Sequence, residues 1–279
     1  MSGSIVAGVL WLFGVAVIGT AVVAWLPGSK LYDAWQSRSD EAGRTADCAI
    51  RGAGRVVTAA VVILAGWAFA IITCWVLGLL AHRLEGVVDR PVFDWFAARQ
   101  IGGWTQIWHI LTQMGNRPET KALTVVGALV FAILLRRGRW WVPLTLLPIG
   151  YLMEKYGGQI LKQMVHRGHP PTTLGTWVSG GCARLIVVYG LIIFFGLQWR
   201  RVQSRQVKVA AWSTLAFLAA VEAYSRTYLL KHWVTDVAGG LVFGTMILLA
   251  VIFAAQVLDR VPLLSQANPE AMAQKDATF

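Results

Sequence analysis

Seven apolar runs, each near the length of a bilayer crossing, dominate the sequence: Ile5–Leu26, Val56–Ala81, Ala122–Leu135, Trp141–Leu161, Cys182–Leu197, Val209–Tyr224 and Val237–Leu258. A hydrocarbon core takes about 20 predominantly apolar residues per helix. The third and fifth runs are short and are expected to extend into their flanks. The fold class predicted is all-α, a polytopic membrane helix bundle. Composition agrees. The chain is 56% hydrophobic and 14% charged, against about 45–50% and about 25% for a soluble domain.

The first run does not read as a cleavable signal peptide. Its leading MSGS carries no positive charge, and the basic residues follow it. Lys and Arg are also unevenly shared between alternate connections. Residues 27–55, 136–140, 199–208 and the tail after 258 hold fourteen, whereas 82–118, 162–180 and 225–235 hold eight. Basic residues concentrate on the cytoplasmic side, so the N-terminus is expected outside and the C-terminus inside. Three regions follow: residues 1–55, an N-terminal transmembrane helix and cytoplasmic loop; 56–258, a six-helix membrane core; and 259–279, a disordered cytoplasmic tail. Within 82–118, Trp95, Trp104 and Trp108 predict one or two helices lying at headgroup level.

The net charge of +11 is read as basic loops rather than a nucleic-acid surface, since no basic–aromatic module accompanies it. Cys48, Cys74 and Cys182 are far apart and form no C-x-x-C pair. No disulfide, cysteine metal site or cofactor is expected.

Against this background the stretch SRTYLLKHWVTD, Ser225 to Asp236, is conspicuous. Ionisable residues at a membrane segment usually mark function. His232 and Asp236 are four residues apart, the spacing of neighbours on one helical face. A carboxylate on one imidazole nitrogen fixes the tautomer and raises the basicity of the other. That suits a nucleophile or a base. Arg226 offers a planar fork for phosphate oxygens. A second cluster, LKQMVHRGHPPTT, carries Lys162, His166, Arg167 and His169, and its prolines end the fourth core run. Next comes TWVSGGCARL. Ser179, Gly180 and Gly181 open the following helix, where free amides cradle anions, and Arg184 adds a charge in the first turn. Three helix ends thus converge near one membrane surface, implying a phosphorylated membrane lipid as ligand.

These stretches resemble the type 2 phosphatidic acid phosphatases, relatives of the vanadium haloperoxidases. That family carries Lys-x6-Arg-Pro, Pro-Ser-Gly-His and Ser-Arg-x5-His-x3-Asp. The third motif is complete here as Ser225, Arg226, His232 and Asp236. The resemblance spans about Val56 to Leu258 and implies a six-helix phosphatase core plus one extra N-terminal transmembrane helix. It also implies roles. His232 forms a phosphohistidine and Asp236 orients it. Arg226, Lys162 and the Ser179–Gly180 backbone hold the pentacoordinate oxyanion, and no metal is involved.

Two motifs depart from the family. His169 stands where the first has arginine, with Arg167 nearby as a substitute guanidinium, and Gly181 stands where the second has its acid histidine. Either His169 does the acid's work, or a pyrophosphate substrate needs no acid, or the reaction is changed or lost. The functions compatible with these residues are a phosphatase of lipid phosphates or prenyl pyrophosphates at the extracytoplasmic face, a phosphotransferase between lipid donor and lipid or sugar acceptor, and a degenerate lipid-phosphate binder or transporter. Glu222, four residues before Arg226, and Arg184 are supporting candidates. Glu154 is expected to make a structural hydrogen bond away from the motifs, His109 and His166 to be structural or surface residues, and Trp177 and Trp233 to line the headgroup site.

Overall fold

The computed structural model describes residues 45, 47–50, 52–135, 139–171 and 176–259. The first apolar run and the C-terminal tail lie outside the described residues. The other six apolar runs all form helices, the run Ala122–Leu135 ending one residue past its helix, and no strand occurs among the described residues. The chain is an all-α bundle and an integral membrane protein.

Helix α1, Arg55–Leu84, is 30 residues long, about 45 Å at 1.5 Å per residue. It runs through a π-helical turn, Glu85–Asp89, into α2, Arg90–Ala97. Pro91 sits in the first turn of α2 and has no N–H for the carbonyl of Val87. The helix widens just ahead of it, where an ordinary turn would drive the proline ring into that carbonyl. A short helix, α3, Gly102–Leu111, leads through a 3₁₀ turn, Thr112–Gly115, into α4, Arg117–Leu134. Then follow α5, Trp141–Val165; α6, Gly180–Trp199; α7, Arg205–Tyr228; and α8, Val234–Asp259. The two short runs extend into their flanks as expected, α4 backwards to Arg117 and α6 outwards at both ends.

Among the described residues, four spans are long and apolar enough to cross a membrane by themselves: Arg55–Ala97, α6, α7 and α8. Helix α4 carries Arg117, Glu119 and Lys121 in its first turns, and α5 carries two prolines with Glu154, Lys155 and Lys162. Helix α4 packs on α5 and α6, and α5 packs on α6, α8 and α1. Helix α6 is the centre, buried on nearly all sides. Helix α8 packs on α6 and α1. Gly244 brings it close to α6, where an added Cβ would meet the Ala183 carbonyl at 2.7 Å. The outward faces of α1 (Leu64, Phe69, Ile72, Val76) and α4 (Val125, Val126, Leu129, Ile133) are exposed and apolar, as lipid contact requires.

The two ends of the bundle differ. At one end Asp259 of α8 pairs with Arg139 at 3.1 Å and accepts from Gln198 at 3.0 Å, joining α5, α6 and α8. The other gathers the C-termini of α5 and α7, the N-termini of α4, α6 and α8, the π turn and the 3₁₀ turn. Asp89, Arg167, Arg184, Glu222, Arg226 and Asp236 are all buried there. An unpaired buried charge is far costlier than a paired one, and all six here are held in ion pairs.

Candidate active site

Helix α7 stops at Tyr228 and α8 starts at Val234. His232 therefore stands in the turn between them, and only Asp236 is helical. The four-residue spacing still brings them together: Nδ1 of His232 lies 3.7 Å from Oδ2 of Asp236. That exceeds hydrogen-bond length, and Nδ1 is buried without another partner. Asp236 is held from three sides. Its Oδ1 accepts from Arg167 Nη1 at 2.9 Å, its Oδ2 accepts from the Trp233 amide at 3.2 Å, and its backbone carbonyl accepts from the Ser179 amide at 2.9 Å. Burial pushes the pKa of His232 below its ordinary value. Asp236 opposes this, and Arg226 and Arg184 add to it. The shift favours the neutral imidazole, with one nitrogen facing a carboxylate.

Arg226, in the last turn of α7, donates from Nε to Glu222 Oε1 at 2.7 Å. Its Nη2 donates to the Thr112 carbonyl at 3.1 Å and to Asn116 Oδ1 at 2.9 Å. These three partners fix its plane through Nε and Nη2. Ser225 is buried and donates to the Glu222 carbonyl at 2.7 Å, so its hydroxyl serves the backbone of α7. Lys231 is half-buried beside this pair. Burial lowers its pKa and Arg226 lowers it further, while Glu222 pulls it back.

A model of the PAP2 superfamily matches residues 103–258 of this arrangement, from α3 to the end of α8. The chain belongs to the PAP2 superfamily. Its fold is similar to that of a transmembrane PAP2-type phosphatidylglycerolphosphate phosphatase from Bacillus subtilis. The TM-score is 0.56 at 19% identity, over 66% of this chain and 94% of that one. No curated protein matches the chain.

The second PAP2 motif opens α6. Helix geometry leaves its first amides, including those of Gly180 and Gly181, without intrahelical acceptors. Why glycine stands at 181 is plain from packing: an added Cβ would meet Nη2 of Arg226 at 2.6 Å and its Cζ and Nε at 2.7 Å. The space that a motif-two side chain would enter is filled by the third motif's guanidinium. A Cβ on Gly180 would likewise meet Arg184 Nη1 at 2.8 Å and Glu154 Oε1 at 3.0 Å. Arg184 donates from Nη1 to Glu154 at 3.2 Å, and from Nε and Nη2 to the Gly115 carbonyl at 3.2 and 3.1 Å. Glu154 thus lies against the second motif, not away from it. Gly115 packs against the Glu222 carboxylate and the Gly181 carbonyl. Ser179 is buried, its hydroxyl directed at Cys182 Sγ at 3.5 Å.

The first motif is more dispersed. Lys162 is exposed in the last turn of α5, and His166 ends that helix in the left-handed region at φ 47°. His169 is exposed, its Nδ1 2.8 Å from the Pro170 carbonyl. Arg167 does not stand as a free substitute for the missing arginine. Its Nη1 binds Asp236 and, at 2.6 Å, Thr235 Oγ1, and its Nη2 is in a short contact with Asp89. The tryptophans expected at a headgroup site are packed inside instead. Trp177 is buried and donates to the Cys74 carbonyl at 3.0 Å. Trp233 is buried and donates to the Gly168 carbonyl at 3.1 Å. Trp104 is exposed on α3, while Trp108 packs on Tyr224, with ring centroids 4.7 Å apart. Asp89, Thr112, Asn116 and Glu154 all reach the site although the motifs do not contain them. Among the described residues no cluster could hold a metal ion.

Proposed function

We propose that this protein is a membrane phosphatase acting on a lipid phosphate or prenyl pyrophosphate. The observation that carries the reading is the placement of His232, with its Nδ1 3.7 Å from the Asp236 carboxylate, beside Arg226 and the first amides of α6. In this mechanism Nε2 of His232 attacks the terminal phosphorus as its bond to the leaving oxygen breaks, the lipid oxygen of a monophosphate or the bridging oxygen of a pyrophosphate. Arg226 and the amides of Gly180 and Gly181 take up the charge on the equatorial oxygens, usually the largest catalytic contribution. Asp236 stabilises the imidazole as it becomes positive. Water then attacks the phosphohistidine, which releases inorganic phosphate and restores His232. Lys162 contributes a flexible cation at the rim of the site, and Ser179 and Ser225 hold the backbone that carries the amides and Arg226.

The packing of Arg226 on Gly181 favours a substrate whose leaving group needs little protonation. A departing phosphate meets that condition better than an alkoxide, so a lipid pyrophosphate is the preferred class. The site faces the extracytoplasmic side in this reading, where released phosphate leaves the cell. The test is purified protein in detergent with lipid monophosphates and pyrophosphates, scoring free phosphate and new phospholipid together. Phosphate release that is faster from the pyrophosphates is expected. New phospholipid without free phosphate would instead identify a phosphotransferase, and neither product would identify a binder.

A further inference from the structure

Asp89 lies outside the stretch matched by the superfamily model, yet it is buried at the active end. It comes from the π turn between α1 and α2, and π turns often mark functional positions. Its carboxylate is engaged on both oxygens. Oδ2 meets Arg167, and Oδ1 accepts from the Thr235 amide at 3.0 Å. The Thr235 hydroxyl lies 3.0 Å from Oδ1 and 2.8 Å from Oδ2. Arg167 continues from there to Asp236 at 2.9 Å, and both side chains of that pair are fully buried. The Arg167 Nε has no partner, so the guanidinium is held at its two terminal nitrogens by two carboxylates. Asp89, Arg167, Asp236 and His232 therefore form one chain of contacts from the π turn after α1 to the imidazole.

We propose that Asp89 is a positioning residue: through Arg167 and Thr235 it fixes the Asp236 carboxylate and shares the charge of Arg167, so that Asp236 keeps its full pull on His232. The alternative is a structural tie between α1 and α8. Without Asp89, the charge of Arg167 falls wholly on Asp236, and His232 meets an uncompensated cation. Without Arg167, Asp236 bears on His232 unopposed. The other charges around His232 stay constant in both cases: Arg226 with Glu222 from α7, Arg184 with Glu154 from α6 and α5, and Lys231 from its own turn. A structural tie predicts loss of folded protein, or a folded variant whose kcat is unchanged whatever the shift of His232.

This inference rests on the phosphatase reading only for its kinetic arm. The first measurement needs no substrate: NMR titration of ring-labelled histidine in detergent, with the His232 signal assigned by its loss in His232→Gln. Asp89→Asn is expected to lower the His232 midpoint by roughly half a pH unit or more, and Arg167→Met to raise it by a similar amount. Kinetically, each single variant is expected to lose at least about tenfold in kcat with KM within about twofold, because only transition-state stabilisation is lost. Shifts in the same direction, none in folded protein, or an unchanged kcat overturn the proposal. If neither single variant folds, Asp89→Asn/Arg167→Met carries the test, because a buried pair is better removed whole than halved. A folded double variant with unchanged kcat overturns the proposal. Opposed shifts in a protein that hydrolyses no lipid phosphate would uphold the linkage and count against the phosphatase reading alone.

Discussion

Replacing Gly181 with histidine restores the family's second-motif histidine on paper, though Val178 still stands where the motif has proline, and the packing predicts that it damages the site. Ordinary contact for a Cβ begins at 3.4 Å, and this one would stand 2.6 Å from Arg226 Nη2. Arg226 must therefore retreat by about 0.8 Å. Its bonds to Glu222, Thr112 and Asn116, at 2.7–3.1 Å, cannot all survive that shift. Hydrogen bonds to charged groups are worth about 1.5–3 kcal/mol each. Displacing a positioning group by about 1 Å costs on the order of 10²-fold in rate, or about 2.7 kcal/mol of barrier. The assay is phosphate release from a lipid monophosphate and a lipid pyrophosphate, with folding checked by thermal unfolding in detergent. Gly181→His is expected to lose about 10²-fold in kcat/KM on both substrates. Gly181→Ala, which brings the same Cβ without the ring, is expected to lose a smaller amount. A Gly181→His enzyme as active as wild type, or more active on the monophosphate, would refute the reasoning and show that the motif-two pocket is open.

His169→Ala separates the remaining roles of the first motif: losing monoester turnover by about 10²–10⁴-fold while sparing pyrophosphate marks a general acid, equal loss marks a phosphate-binding cation, and no loss marks a loop residue. The rate should hold as pH falls to about 6.5 and drop only below it, because burial lowers the His232 pKa and only the neutral imidazole attacks. An acid limb centred above pH 7 would contradict the neutral-histidine state. In intact cells, with exposed Cys48 replaced by serine, Gly103→Cys on exposed α3 should react with an impermeant thiol reagent and Gln203→Cys should not; the reverse labelling would put the site in the cytoplasm.

Much of the bundle was legible because membrane helices write themselves as apolar runs, and six of the runs form helices. The Arg226–Glu222 pair was legible too, since four residues on one helix are neighbours whatever packs around them. What escaped was set by tertiary approach. Asp89 sits in EGVVDRP, which reads as the frayed end of a helix. Nothing local says that the π turn carries it to Arg167, although an aspartate so close to an apolar run was the one available signal. Glu154 is remote from the motifs along α5, whereas Gly180 lets α6 close on that carboxylate. Arg167 looked like a phosphate cation because its two carboxylate partners lie 78 and 69 positions away in the chain. Glycine at 181 looked like a loss, and its reason appears only when Arg226 is seen lying on it.

The most direct test of the central claim is trapping the covalent intermediate. Purified protein is mixed with a lipid phosphate labelled in its phosphoryl group, quenched in alkali within the first turnovers and digested for mass spectrometry. The account predicts label on His232 alone, absent in His232→Ala, which should be folded and inactive, and accumulating in proportion to enzyme before steady phosphate release. Turnover that persists in His232→Ala, or label on any other residue, would contradict it.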